Sequence, residues 1–312
     1  MKNFWYHIMA LVTVAIWGTT FVSTKVLLQH GLSPTEILLY RFLLAYISIW
    51  FFCPKRLLAN NLRDEVLLFT AGVCGGSLYF IAENNALEIT LASNVSLILC
   101  TTPILTAFLS HLTDRKERLK KRLFYGSGMA LIGVALVVFN GNFILKISPL
   151  GDLLTVAAAL MWACYGIILK RLDRKYSVLF ITRKVFFYGI ITMLPVLAFS
   201  PSQLHISTLD QPIVIANLVF LGLIASMLCY IMWNTTVKQL GVVRTTNYIY
   251  IIPFVTLISS AIVIDEVITY IAIIGSVFIL FGVYIAEQGD KLGNISTRLF
   301  SFVNKQPTDT KH

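Results

Sequence analysis

Charge is scarce in this chain: Asp, Glu, Lys and Arg make up 13% of its 312 residues, about half the share of an ordinary globular protein. So few charges cannot cover a soluble surface. With 57% hydrophobic residues and a mean hydropathy of +0.79 the chain reads as a membrane protein. Acidic residues are the scarcer sign, 15 against 25 Lys and Arg, for a net charge of +10. The basic residues lie between apolar runs, where they report orientation, so no nucleic-acid partner is expected. Cysteine occurs only as Cys53, Cys74, Cys100, Cys164 and Cys229, spread over five apolar segments without a close pair; this excludes a disulfide framework and a metal knuckle. No Gly-x4-Gly-Lys phosphate loop is present, so nothing supports ATP drive. The five histidines show no His-x-x-x-His or His-Glu pairing, which leaves a membrane-embedded enzyme without visible chemistry and predicts no cofactor or metal. Long polar stretches are also missing, the longest link being about 13 residues, so no soluble domain is hidden.

What the chain has instead is apolar runs of roughly 18 to 25 residues, the length that crosses about 30 Å of hydrocarbon. They predict an all-α membrane protein of ten transmembrane helices, near 4–28, 35–53, 66–87, 90–112, 123–140, 150–170, 177–199, 212–236, 243–264 and 268–287. The first run follows Met1 and Lys2 and has no small-residue cleavage site, so a retained helix is expected rather than a signal peptide. In alternate loops and termini, twenty Lys and Arg residues fall on one side and Lys146 alone on the other. By the positive-inside rule both termini are expected in the cytoplasm, in a bacterial-type inner (plasma) membrane.

The stretch from Thr90 to Gly133 recurs from Leu240 to Gly282. Pro103 precedes Glu117 by 14 residues and Pro253 precedes Glu266 by 13, and the spacing from glutamate to glycines is then identical, Glu117-Gly126-Gly133 and Glu266-Gly275-Gly282. Asn84 matches Asn234 and Phe80 matches Tyr230 at an offset of 150, while Trp17 with Lys25 matches Trp162 with Lys170 at 145. The chain is therefore expected to hold a five-helix repeat in residues 1–142, a second in 143–288, and a polar cytoplasmic tail in 289–312. Five is odd, so the second copy enters the membrane from the opposite side. Inverted repeats of this kind are the usual basis of alternating access.

These residues resemble the EamA-type branch of the drug/metabolite transporter superfamily: Trp17-Gly18 followed by Lys25, the prolines Pro103 and Pro253, and Glu-x8-Gly-x6-Gly closing each half. The resemblance covers about residues 5–287 and implies a 5+5 helical fold. It also implies a central cavity lined mainly by the first, third and fourth helices of each half, and transport, usually export, of amino acids or other small metabolites. One departure is Asp114-Arg115-Lys116-Glu117, more charged than the family's usual Leu-Gly-Glu, which puts that loop's geometry in question.

Within the crossings, Trp17 and Trp162 sit near mid-helix, away from the interface belts, and read as cavity lining or as helix packing. Tyr79, Tyr165, Tyr230, Tyr248 and Tyr250, also in crossings, read as cavity lining, as packing or as interface anchors. Asn84, Asn85, Asn94, Asn234 and Asn247 are costly in hydrocarbon unless satisfied, so they line a cavity or bond neighbouring helices. Lys25, Arg41 and Glu83 fall in one leaflet, where the carboxylate can pair with either cation as a gate or bind a coupling proton; snorkelling is the competing reading for the cations. Lys170, Arg183 and Lys184 form the inner counterpart without a matching acid. Pro103 and Pro253 each bend a helix as hinge or static kink. The recurring glycines read as close helix packing, and Glu117 and Glu266 as solvated or loop-stabilising residues.

The expected function is secondary transport of a small organic metabolite, outward, through one central site in the lipid bilayer. Rival readings are an uptake permease of the same fold and a non-transporting membrane sensor. Substrate, coupling ion and oligomeric state are not legible.

Overall fold

The computed structural model describes residues 2–54, 58–89, 92–114, 121–139, 148–199, 206–264 and 269–287. Glu117 and Glu266 lie outside the described residues, as does the side chain of Asn94. The described residues form helices and turns without a strand. Among the described residues seven helices are long and apolar enough to cross a membrane, and two shorter apolar helices cover Leu123–Leu136 and Ile273–Ala286.

In chain order the helices are α1 (Lys2–Gln29), α2 (Pro34–Phe52), α3 (Leu62–Ile89), α4 (Ala92–Leu99), α5 (Thr102–Thr113), α6 (Lys121–Phe139), α7 (Pro149–Leu172), α8 (Val178–Phe199), α9 (Pro212–Leu240), α10 (Val242–Asn247), α11 (Ile252–Ile264) and α12 (Tyr270–Glu287). Local signals set several ends. Ser33 caps α2: its hydroxyl accepts from the Glu36 amide and the Glu36 carboxylate accepts from the Ser33 amide, a reciprocal pair before Pro34. Asn61 caps α3 by accepting from the Asp64 amide. Gly241, at φ 89°, separates α9 from α10, a backbone angle that glycine alone adopts freely.

The prolines act more sharply than the sequence suggests. Neither bends a continuous helix. Residues 100 and 101 interrupt the helix before Pro103, which stands in the first turn of α5. A 3-10 turn, Tyr248–Ile251, intervenes before Pro253 at the start of α11. Proline lacks an N–H and crowds the residue before it out of the α region, so a helix start tolerates it better than a helix interior does. Both long inner crossings, α3 and α9, instead contain a π-helical stretch, Val73–Ser77 and Phe220–Leu228, a local rewinding common near functional sites.

Packing runs chiefly between the first and second parts of the chain. α1 lies against α9 and α11, α7 against α3 and α5, α2 against α8, and α6 against α12. The α6–α12 contact is the closest. A Cβ at Gly126 would stand 2.7 Å from the Gly282 carbonyl oxygen, and one at Gly133 would stand 2.6 Å from the Gly275 carbonyl oxygen. The glycines recognised by their spacing therefore let two backbones touch, the close-packing reading.

Candidate functional site

Where α1, α2, α3, α7 and α9 converge with the two broken segments, they enclose a cavity of about 50 Å³, room for a few water molecules. Its wall is aromatic on several sides and carries two opposite charges. Trp17, Arg41, Tyr79, Phe80, Glu83, Trp162 and Tyr230 line it, together with Thr20, Ser96 and Thr102. The last three were not singled out from sequence, because small hydroxyl residues in crossings carry no signal that separates cavity from helix contact.

The aromatic side chains form one continuous cluster. The ring centroids of Trp17 and Trp162 are 5.2 Å apart at 85°, Trp17 and Trp233 4.9 Å, and Tyr79 and Trp162 5.0 Å. Edge-to-face and offset pairs at these separations contribute about 0.5–1.5 kcal/mol each beyond burial. The indole N–H of Trp17 donates to the Ala225 carbonyl at 3.0 Å. The Tyr230 hydroxyl donates to the Gly75 carbonyl at 2.6 Å.

Arg41 and Glu83 are 4% and 8% exposed and face the same cavity, yet they are not ion-paired with each other or with any other described residue. The Arg41 Nε donates to the Ser226 hydroxyl, and the guanidinium lies 4.3 Å from the centroid of the Phe80 ring. Glu83 accepts one hydrogen bond, from Tyr79 at 3.0 Å. Each charge thus has one neutral hydrogen-bond partner and keeps hydrogen-bonding capacity in reserve. Lys25, the third member of the sequence trio, is exposed and does not line this cavity.

Several other sequence candidates bind their neighbours instead of lining the cavity. Asn234 accepts from the Tyr165 hydroxyl and donates to Thr182, both at 2.9 Å, joining α9 to α7 and α8. Asn84 donates to the Pro34 carbonyl at 3.4 Å and ties α3 to the start of α2. Asn247 is buried in α10 with its side-chain oxygen unpartnered. Lys170 pairs with Asp114 at 3.5 Å and borders a second cavity of about 470 Å³ with Asp173, Arg174 and Lys238.

Lys184, grouped with Lys170 and Arg183 from the sequence, does meet an acid, although the repeat position of Glu83 is held by Trp233. Asp64 accepts from Lys175 at 2.8 Å and from the Tyr176 hydroxyl at 2.9 Å, and Glu65 pairs with Lys184 and accepts from the Tyr188 hydroxyl. Arg183 donates to the Cys53 carbonyl. Sequence reading missed both acids because it began this helix at residue 66, outside them. The signal was present: Asn61 followed three residues later by Asp64 is a helix-start pattern.

Among the described residues no group of three or more His, Cys, Asp or Glu is placed to hold a metal ion. The chemistry on offer at the central cavity is recognition: a cation site, an anion site and aromatic faces within one small volume.

The sequence profile of the EamA-like transporter family matches residues 4–139 and again 149–287. A "Probable amino-acid metabolite efflux pump" of Escherichia coli is 29% identical over 90% of this chain and 94% of its own. An "Uncharacterized transporter" of Archaeoglobus fulgidus is 25% identical over 89% and 96%, and a "Probable terminal-alkyne amino-acid exporter" of Streptantibioticus cattleyicolor 25% identical over 89% and 92%. A solved crystal structure, 17% identical, superposes with a TM-score of 0.70 over 96% of this chain and 98% of that one, which shows a shared fold. With a membrane-spanning helical architecture, and with the family profile covering the chain almost end to end, this protein belongs to the EamA-like transporter family.

Proposed function

We propose that the protein is a secondary transporter that moves a small zwitterionic metabolite, an amino acid or related compound, outward across the inner membrane by alternating access. The observation that carries this reading is the pair Arg41 and Glu83, both buried at one cavity and neither ion-paired. Unpaired buried charges are unfavourable, and in a membrane they mark substrate or ion pathways. A zwitterion supplies a carboxylate for Arg41 and an ammonium for Glu83, with its side chain against the aromatic wall. The names of two relatives, both referring to amino acids, agree with that class.

The architecture proposed is ten crossings in two inverted five-helix repeats, residues 1–142 and 143–288, with both termini cytoplasmic. Support comes from the family profile matching twice in succession, and from the antiparallel pairing of Gly126 with Gly282 and Gly133 with Gly275. These pairs exchange under the repeat, as an inverted two-fold relation requires. Prolines at matching starts of α5 and α11 fit the same relation.

The test uses purified protein in liposomes preloaded with single radiolabelled amino acids. Counterflow is expected for at least one, and Arg41→Gln and Glu83→Gln are each expected to weaken its binding about tenfold or more, the loss of a hydrogen bond to a charged group. An N-acetylated analogue, lacking the ammonium, should be indifferent to Glu83→Gln. Absence of flux for every amino acid would sink the solute class, and net uptake under imposed gradients would replace the exporter with a permease. A second reading makes Glu83 the carrier of a coupling proton, since it is a buried carboxyl at the cavity; in that case Glu83→Gln keeps exchange and loses its response to a pH gradient.

A further inference from the structure

The π-helical stretches of α3 and α9 occupy matching positions, and each presents a backbone carbonyl to an aromatic donor. Gly75 and Ala225 differ by the same offset of 150 that relates Phe80 to Tyr230. The Ala225 carbonyl is taken by the indole of Trp17. Its counterpart at Gly75 is taken not by Trp162, the repeat mate of Trp17, but by the hydroxyl of Tyr230. The asymmetry has a simple cause: Phe80 has no hydroxyl to compete for Ala225, whereas Tyr230 has one and holds Gly75. Trp162, 6% exposed and on the cavity wall, donates to no described residue, and its indole nitrogen is not among the fully enclosed unpartnered atoms.

We infer that Tyr230 is a positioning residue: by occupying the Gly75 carbonyl it leaves the Trp162 indole N–H facing the cavity, as the hydrogen-bond donor for a carboxylate or carbonyl oxygen of the transported solute. An indole N–H without an acceptor in a low-dielectric interior is unfavourable, and a solute oxygen relieves that. The inference rests on the central cavity being the solute site and deepens it by naming a neutral donor contributed by the second repeat to the cavity that Arg41 and Glu83 of the first also line.

The experiment is NMR of the full chain in detergent with ¹⁵N-labelled indoles, the five tryptophan signals assigned by single Trp→Phe variants. In the wild type the Trp17 N–H is expected to exchange slowly with deuterated water and the Trp162 N–H at least tenfold faster. Tyr230→Phe keeps the ring and frees the Gly75 carbonyl, so the Trp162 signal should move downfield and its exchange slow at least tenfold. Each of the twenty proteinogenic L-amino acids is then titrated singly. A binder should shift the Trp162 signal, bind about tenfold more weakly to Tyr230→Phe and to Trp162→Phe, and lose no more in the double variant, since both changes remove one donor. A Trp162 N–H as protected as that of Trp17, a signal unmoved by Tyr230→Phe, or additive losses would overturn the inference. If no amino acid binds the wild type, the proposed solute class fails while the exchange comparison still decides the role of Tyr230.

Discussion

At the scale of residues, burial without a closed ion pair singles out the groups proposed to meet the solute. Arg41 and Glu83 stand out in that way, whereas Asn84 and Asn234, equally polar and equally legible as repeat mates, are absorbed by helix contacts. The sequence marks all four as exceptional in an apolar crossing, but it carries no information on which neighbour each one meets. Asp173 is also buried, outside the long apolar helices and among cations. It stands just past the end of α7, bordered by Lys170, Arg174 and Lys238, and burial pushes its carboxyl up from 3.8 to about 6, with Lys238 opposing. Between those values the folded protein holds a proton that the unfolded chain has released, so this residue makes stability fall as pH rises from about 4 to about 6. Asp173→Asn is therefore expected to flatten that part of the pH profile, read as the thermal unfolding midpoint in detergent against pH. An unchanged slope would show that Asp173 is solvated in the folded protein.

At the scale of elements, the glycine spacing and the prolines were both legible, with different fidelity. Spacing of seven residues returned the glycines of each pair to one face, and that face is the α6–α12 contact. Gly126→Ala should force these helices apart, because its Cβ would meet the Ala286 backbone nitrogen at 2.6 Å. Overpacking of this kind costs about 1–3 kcal/mol, visible as a lower unfolding midpoint and a lower yield of folded protein. Gly128→Ala on the same helix is the control: a Cβ there meets nothing within 4 Å, and alanine favours the helix by about 1 kcal/mol over glycine. Equal effects of the two changes would remove the contact from the account. The prolines announced an irregularity, but its extent depended on neighbours. A lone crossing would bend; here the packed segments accommodate a full interruption next to the cavity, with the Ile249 carbonyl 3.9 Å from the Cys100 sulfur.

At the scale of the whole molecule, the proposed orientation follows from the charge split. Single cysteines replacing Arg174 and Leu150, both exposed, in an otherwise cysteine-free chain should label oppositely: Leu150→Cys from outside intact cells and Arg174→Cys only after the cells are opened. Labelling of Arg174→Cys in intact cells would reverse the orientation. The membrane class and the glycine contact face were legible in the sequence alone, and the duplication it leads one to expect agrees with the family profile matching twice in succession. Each rests on hydropathy, length or spacing, quantities that add up along the chain without reference to its partners. What only the tertiary structure decided is which polar groups share a cavity. Trp17 meets Ala225, Tyr230 meets Gly75, Asp64 meets Lys175, and Arg41 and Glu83 come to one wall without closing a salt bridge. The two partners of each bonded pair lie more than a hundred residues apart in the chain. The bond exists because two helices cross at one height and rotation, which the apolar faces around it set and no local pattern records.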